Sequence, residues 1–348
     1  MKANYKKYIL EFKQASGTSR GVLNTKETFF IKIYNKTRIG IGECALFRGL
    51  SADDVPNYES KLQWTCDNIK LPKEVLLNEL IAFPSIQFGL EQAFLSLASD
   101  DKHILFPSQF TSGKAKININ GLVWMGSEKF MKKQIEEKLR AGFTTIKLKI
   151  GAIDFKTEYK LLKSIRTDFS ANDITLRVDA NGGFTAKEAL DKLKYLSDLE
   201  LHSIEQPIKV NQWEDMAFLC ANSPLDIALD EELIGVFSQE KKKQLLEAIK
   251  PQFIILKPSL VGGIKSSNEW IKLAEKHHID WWITSALESN IGLNAIAQYT
   301  ISLQTTIPQG LGTGSLFTNN INSPLHVKNG HLLYDVNSSW DYDYFNKF

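Results

Sequence analysis

The stretch TTIKLK at residues 144–149 decides how the rest of this 348-residue chain is interpreted. Successive side chains of a β-strand point to opposite faces, so Lys147 and Lys149, two residues apart, share one face. A Lys-x-Lys pair is usually part of a solvated edge strand. Here the apolar neighbours on the other face, followed by Gly151, favour a buried strand that carries charge on its alternate face.

Four later strand-like segments also end in charged residues. They are LRVD at 176–179, SIE at 203–205, ALD at 228–230 and IILK at 254–257. The acids Asp179, Glu205 and Asp230 are separated by 205 − 179 = 26 and 230 − 205 = 25 residues. That interval holds one strand, one helix and two short loops, which indicates a serial βα pattern.

The same pattern extends along most of the chain and predicts a closed barrel. Apolar strand-like segments begin near Ile117, Thr145, Ile174, Leu201, Ile227, Phe253, Asp280 and Ile307. Between them lie segments of helical periodicity, including residues 128–141, 185–196, 239–250 and 265–277. An open doubly wound sheet would scatter the charged strand ends, whereas a barrel gathers them at one mouth. We therefore expect an α/β fold, a modified TIM-type (β/α)7β barrel with an N-terminal α+β capping domain.

The expected domain division follows from where the pattern changes. Residues 1–110 are interpreted as the α+β capping domain, with strands at 29–34 and 39–43 and helices within 51–100. Residues 111–320 form the barrel catalytic domain. The aromatic and polar residues 321–348 are expected to pack back on the first domain.

The bulk composition excludes several kinds of partner. Lys and Arg (42) nearly balance Asp and Glu (40), so nothing calls for nucleic acid or an anionic membrane. No apolar run approaches the roughly 18–20 residues of a membrane span. Cys44, Cys66 and Cys220 match no zinc spacing and leave an odd thiol, which favours a reducing cytoplasm. The oligomeric state is not determined by these features.

Asp179, Glu205 and Asp230 form a candidate metal site. Three carboxylates on neighbouring strands cannot all ionise in a shared dry site without a cation. Oxygen ligands with no nearby histidine or cysteine favour Mg²⁺, with Mn²⁺ as a substitute. The alternative is that each acid caps the following helix or forms an ordinary ion pair, which becomes less credible when all three are taken together.

The lysines are candidate acid–base groups. Lys147 and Lys149 lie on one strand, and Lys257 approaches from the far side of the acids. Proximity to one another and to a dication would depress the pKa of at least one of them and make it a usable base. Arg177 precedes Asp179 by two residues and points the same way, either to hold a substrate carboxylate or to pair with the acids.

These segments together resemble the enolase superfamily, and within it the muconate-lactonising-like group with its o-succinylbenzoate synthase branch. The matching segments are GECAL at 42–46, KLK at 147–149, VDANG at 178–182, IEQP at 204–207, LDE at 229–231 and LKP at 256–258. Residues 256–263 and 284–292 are similar to the synthase branch in particular. Dipeptide epimerases often carry Asp-x-Asp near the eighth strand, whereas residues 309–314 here contain no acid.

The resemblance implies a small-molecule carboxylate substrate that loses the proton α to its carboxylate, with Mg²⁺ stabilising the enediolate. Lys149 would be the base, Lys147 would sit by the carboxylate, and Lys257 would face the intermediate from the opposite side. Four polar residues are assigned to substrate binding: Asn181, Ser285, Ser289 and Thr313. For the last three, loop or helix-cap chemistry is an equal alternative. Loops at 16–22 and 47–51 would close over the substrate.

For the synthase branch the implied reaction is dehydration of 2-succinyl-6-hydroxy-2,4-cyclohexadiene-1-carboxylate to o-succinylbenzoate. A first alternative is an N-acylamino acid racemase or dipeptide epimerase that uses Lys149 and Lys257 as an acid–base pair. A second is a non-catalytic ligand-binding relative, which would have no use for opposed lysines. A nicotinamide enzyme is disfavoured, because no Gly-x-Gly-x-x-Gly follows the first strand.

Overall fold

The chain begins with a three-stranded antiparallel sheet. A computed structural model describes residues 1–18, 21–124, 126–151 and 153–341. The strands are β1 (Lys2–Thr18), β2 (Gly21–Tyr34) and β3 (Ile39–Cys44), paired in that order. Phe29, Phe30 and Ile31 of β2 are all fully buried, so this central strand is covered on both faces.

Three helices follow: α1 (Tyr58–Asp67), α2 (Lys73–Glu79) and α3 (Pro84–Ala98). Helix α3 packs very closely on β3. A Cβ atom on Gly42 would lie 1.9 Å from the carbonyl oxygen of Gly89, so the contact requires glycine at that position. The apolar residues between sheet and helices form a core of their own, which makes this unit the α+β cap that the sequence predicts.

Parallel strands and helices then alternate around a barrel. After β4 (Ile117–Asn118) the strands are β5 (Gly121–Val123), β6 (Thr145–Lys149), β7 (Thr175–Asp179), β8 (Ser203–Glu205), β9 (Ile227–Leu229), β10 (Phe253–Leu256) and β11 (Asp280–Ile283). The helices are α4 (Glu128–Arg140), α5 (Phe155–Asp168), α6 (Ala186–Ser197), α7 (Trp213–Asn222), α8 (Gln239–Ile249), α9 (Pro258–Val261), α10 (Gly263–Lys276) and α11 (Asn290–Ser302). Strands β5 to β11 pair in sequence order, which confirms the predicted fold.

The two ends of this sheet are joined by single residues. Gln309 forms a parallel bridge to Ile119, and Gly310 forms one to Thr284. The eighth strand predicted near Ile307 is therefore reduced to a bridging segment. The first predicted strand also differs: β4 pairs antiparallel with the C-terminal hairpin, and the barrel strand is β5.

The C-terminal segment returns to the rest of the molecule. Strands β12 (Leu325–Lys328) and β13 (His331–Tyr334) form a hairpin on β4. Trp340 stacks on His103 with ring centroids 4.2 Å apart. Residues 342–348 of the predicted returning segment lie outside the described residues, and the domain division at residues 110 and 320 stays a prediction. Within the described ranges, no helix has the length and apolarity needed to cross a membrane.

Candidate active site

The charged strand ends meet at the carboxyl edge of the barrel. Lys149 is in register with Asp179, and Asp179 with Glu205, across β6, β7 and β8. Asp230 follows β9 directly. The three acids are at most 3% exposed. The barrel therefore brings the predicted acids and lysines into one buried cluster, as the carboxyl ends of parallel strands do in barrel enzymes.

Within the cluster every acid contacts a lysine. The Lys147 ammonium donates to Asp179 Oδ2 at 2.8 Å and also to Glu205 Oε2. Lys149 Nζ donates to the same Asp179 oxygen at 2.9 Å. Lys257 Nζ donates to Asp230 Oδ2 from the opposite side of the cluster. The amines therefore surround the acids on two sides.

Burial and nearby charges shift the pKa values of the three acids in different directions. Burial raises the pKa of Asp179 and of Asp230, but the lysine charges outweigh it and hold both below their usual range. Burial, together with the negative charge of Asp179, raises the pKa of Glu205 well above its usual range. Burial lowers the pKa of Lys147, but Asp179 and Glu205 outweigh it and hold that pKa above its ordinary value. The pKa of Lys257 is raised in the same way, chiefly by Asp230. The sequence predicts a depressed pKa for at least one lysine beside a bound dication, and that expectation stays a prediction.

The acids fit a divalent cation by their chemistry. Glu205 Oε1 is buried and has no hydrogen-bond partner among the described residues, although carboxylates of Asp179 and Asp230 adjoin it. A dication would satisfy that oxygen and remove the repulsion that raises the pKa of Glu205. In the described ranges, no three acidic, histidine or cysteine side chains are already grouped to hold an ion. Lys147, Lys149 and Lys257 all contact acid oxygens, so a cation would compete with these amines for the same oxygens.

A cavity of about 400 Å³ opens over this cluster. Lys147, Lys149 and Lys257 all lie in its wall, whereas the acids lie behind them. Phe47 and Leu50 of the N-terminal unit cover one side, which agrees with the prediction for loop 47–51. For loop 16–22, residues 19 and 20 lie outside the described part of the chain.

Ser285 and Thr313 are also part of the cavity wall. The Thr313 hydroxyl donates to Ser285 Oγ at 2.8 Å, and Ser285 donates to the buried Glu288 at 2.6 Å. Ser289 has a different position: its hydroxyl caps α11 by accepting from Ile291 N and donates to Glu43 at 2.5 Å. Ser289 is not among the lining residues, so the structure supports the helix-cap alternative for it.

Arg177 lies below the acids and away from the cavity. It is 2% exposed, donates to the Pro308 carbonyl at 2.9 Å and lies 4.1 Å from the ring centroid of Trp282. Burial lowers its pKa to about 10. Arg177 is not among the residues that line the cavity, and the charge of Glu205 opposes the lowering of the Arg177 pKa, so its position favours pairing with the acids over a substrate contact. A step of two residues along a strand spans roughly 7 Å. Arg177 therefore shares the face of Asp179 but lies one layer deeper in the barrel.

Asn181 contacts the lysine that the sequence assigns as base. Lys149 Nζ donates to Asn181 Oδ1 at 2.7 Å, and Asn181 Nδ2 donates to Glu231 Oε1 at 2.9 Å. Asn181 is not a lining residue of the cavity, so a direct substrate contact is not what its position supports. Sequence reasoning missed Glu231, and its one signal was the Asp-Glu pair at 230–231.

Sequence reasoning also missed a buried group beneath the cavity wall. Glu288 accepts from Ser285, in the loop after β11, and from Ser259, in helix α9. Burial raises the pKa of Glu288, and the charge of the buried Lys26 opposes that rise. The charge of Lys26 on strand β2 therefore acts on the carboxylate beneath the cavity wall.

Known proteins match the chain over nearly its whole length. The o-succinylbenzoate synthase of Desulfotalea psychrophila is 46% identical over 95% of this chain and 98% of its own. The crystal structure of MenC from that organism superposes with a TM-score of 0.86 at 42% identity, covering 96% and 99% of the two chains. The N-succinylamino acid racemase of Thermus thermophilus is 27% identical over 79% of this chain and 75% of its own.

The family assignment rests on two independent matches. Residues 130–337, more than half of the chain, match the family described as enolase C-terminal domain-like. The 46% identical relative covers almost all of the remaining chain as well. Together these matches indicate a metal-dependent lyase. The chain therefore belongs to the enolase superfamily.

Proposed function

We propose that this enzyme is an o-succinylbenzoate synthase that acts in menaquinone biosynthesis. It would dehydrate 2-succinyl-6-hydroxy-2,4-cyclohexadiene-1-carboxylate to o-succinylbenzoate. The observation that carries the proposal is that Lys149 and Lys257 face one cavity from opposite sides of three buried acids. The 46% identity to a synthase supports the choice of this substrate.

Asp179, Glu205 and Asp230 would hold Mg²⁺, for which Mn²⁺ could substitute. When bound, the cation supplies positive charge where negative charge develops on the substrate carboxylate. The unsatisfied Glu205 Oε1 and the raised pKa of Glu205 support this assignment.

The lysines would divide the work of proton transfer. Lys149 takes the proton from the carbon next to the ring carboxylate, while Lys147 holds the charge of that carboxylate. Lys257 faces the ring from the other side and stabilises the enediolate, in part by cation–π contact. Lys149 then returns its proton to the departing hydroxyl, which leaves as water. The ring becomes aromatic, and this supplies the driving force.

We place the enzyme in the cytoplasm with a small-molecule carboxylate as its substrate. The support is chemical: Cys44, Cys66 and Cys220 are buried free thiols, as expected in a reducing compartment. The balance of 42 basic and 40 acidic residues gives no reason to expect a nucleic acid or membrane partner.

Racemisation of N-succinylamino acids is a second candidate activity. Lys149 and Lys257 both line the cavity, as two-sided proton transfer at one carbon requires. The racemase relative from Thermus thermophilus points the same way. Dipeptide epimerisation is less well supported. The residues of segment 309–314 that line the cavity are Gly310, Gly312 and Thr313, and none of them has a carboxylate that could bind a free amine.

The two activities are separated by comparing rates in one preparation. Ultraviolet loss of the cyclohexadiene acid measures dehydration, and exchange of the Cα proton for deuterium in N-succinylamino acids measures racemisation. We expect dehydration to be the faster reaction, and Lys149→Ala to lower it by about 10²–10⁴-fold. The exposed Lys163 on α5 provides the control variant Lys163→Ala. Faster racemisation, or near-normal dehydration by Lys149→Ala, would reject the proposal.

A further inference from the structure

We propose that Asn181 and Glu231 act as positioning residues for Lys149. The inference rests on the proposed function, in which Lys149 is the base. Lys149 Nζ donates to Asn181 Oδ1 at 2.7 Å, and the amide nitrogen of Asn181 donates to Glu231 Oε1 at 2.9 Å. The three side chains form a short chain of hydrogen bonds that ends on the reacting amine.

This series of hydrogen bonds lies behind the base and outside the wall of the main cavity. Lys149 lines the main cavity, but neither Asn181 nor Glu231 is among its lining residues in the described chain. Glu231 instead lines a separate cavity of about 300 Å³, together with Trp213 and Lys241. Asn181 and Glu231 are therefore placed to act through Lys149 and not on the substrate.

The backbone holds both positioning residues in place. Asn181 has a φ of 44°, a left-handed conformation that asparagine tolerates, and its N–H donates to Asp179 Oδ1 at 3.0 Å. On the other side, Gln206 Oε1 accepts from the backbone N–H groups of Asp230 at 3.3 Å and Glu232 at 3.2 Å. The turn that carries Glu231 is thereby fixed to the end of β8.

The chemistry explains why both residues are needed. A lysine ammonium has three donors on a flexible stem, so its direction must be set from outside. Asp179 and Asn181 accept from Lys149 and fix two of those directions, which leaves the third for the cavity. An amide can flip and present its NH₂ group in place of its oxygen. Because Glu231 Oε1 accepts from the amide nitrogen of Asn181, it holds the oxygen of Asn181 toward Lys149.

Epistasis between the two residues tests this order of action. We expect Asn181→Ala to lower kcat about 10–100-fold with little change in KM or in the Mg²⁺ concentration for half-maximal rate. Glu231→Leu should lower kcat similarly, whereas Glu231→Gln, whose amide oxygen still accepts, should keep most of it. The double variant Asn181→Ala/Glu231→Leu should be no slower than Asn181→Ala alone. Glu214→Leu, at an exposed position of α7, is the control.

A swap of the two side chains gives a second test that is independent of the leucine variant. Asn181→Asp alone places two carboxylates against each other and should be impaired. Adding Glu231→Gln supplies an amide donor to the carboxylate that Asn181→Asp introduces. The kcat of the double variant should therefore be at least about tenfold higher than that of Asn181→Asp alone. Multiplicative losses in the double variant, or a swap without recovery, would overturn the proposal. A wild-type enzyme with no dehydration would instead reject the proposed function.

Discussion

At the scale of single residues, the active-site cluster is defined by which acid holds which amine. Lys147 contacts both Asp179 and Glu205, and Lys257 contacts Asp230 from the opposite side. Glu205 is the most strained of the acids electrostatically, because burial and its acidic neighbours raise its pKa. Removal of the charge of Glu205 should therefore affect cation binding more directly than a change at the other acids.

The first prediction concerns Glu205→Gln. The amide keeps the shape of the side chain but removes a charged ligand, so Mg²⁺ affinity and turnover should fall together, each by about 10-fold or more. Turnover as a function of Mg²⁺ concentration measures both quantities. Glu200→Gln serves as the control, because Glu200 is exposed and lies in the turn before β8. A Glu205→Gln enzyme unchanged in both quantities would remove Glu205 from the metal site.

The second prediction distinguishes the roles of Ser285 and Ser289, the two serines that follow β11. Ser289→Ala removes the cap of α11 and should lower the free energy of unfolding by about 1–2 kcal/mol while KM is unchanged. Ser285→Ala alters the cavity wall and should raise KM. Thermal unfolding and steady-state kinetics on both variants provide the measurement. A raised KM for Ser289→Ala with normal stability would favour a substrate role for this serine after all.

At the scale of elements, two carboxylates of the N-terminal unit sit at the starts of barrel helices. Glu91 of α3 accepts from Ile264 N and Lys265 N in the first turn of α10, at 2.6 and 3.1 Å. Glu43 of β3 accepts from Ser289 N and Gly292 N at the start of α11. Helix N-termini attract negative charge, so these contacts dock the cap firmly on the barrel.

The third prediction follows from the burial of Glu91. Burial raises its pKa from 4.5 to about 7. The folded state therefore binds its proton more tightly than the unfolded state, and this contribution to stability is complete below pH 4.5 and lost as pH rises through 7. Relative to Glu91→Gln, which cannot titrate, the wild type should lose up to about 3 kcal/mol across that range. Denaturant unfolding at several pH values measures the difference, and a flat or rising difference contradicts the assignment.

At the scale of the whole molecule, the limits of prediction have a physical pattern. Asp179, Glu205 and Asp230 could be predicted because they repeat at one βα step. Arg177 could not be placed, since a strand pattern determines the face of a side chain and not its depth in the barrel. The contact between Glu43 and Ser289 spans 246 residues and has no local signal. The predicted eighth strand is only a bridging segment in the structure. It contains Pro308, which has no backbone N–H to donate to a neighbouring strand.

The fourth prediction tests the return of the C-terminal segment to the cap. Trp340 is 4% exposed, stacks on His103 and packs with Phe30. Trp340→Ala should lower the free energy of unfolding by about 3–5 kcal/mol. Val336→Ala in the same segment is the control, because that side chain is 58% exposed. Equal small effects of the two variants in denaturant unfolding would show that Trp340 does not anchor the segment.

The central claim is that three strand-end carboxylates hold one divalent cation between opposed lysines. The most direct measurement is ultraviolet loss of the cyclohexadiene acid after exhaustive chelation, followed by titration with Mg²⁺. We predict that the chelated enzyme is inactive and that Mg²⁺ restores the full rate along a single-site saturation curve. Full activity after chelation, with no response to added Mg²⁺, would contradict the claim.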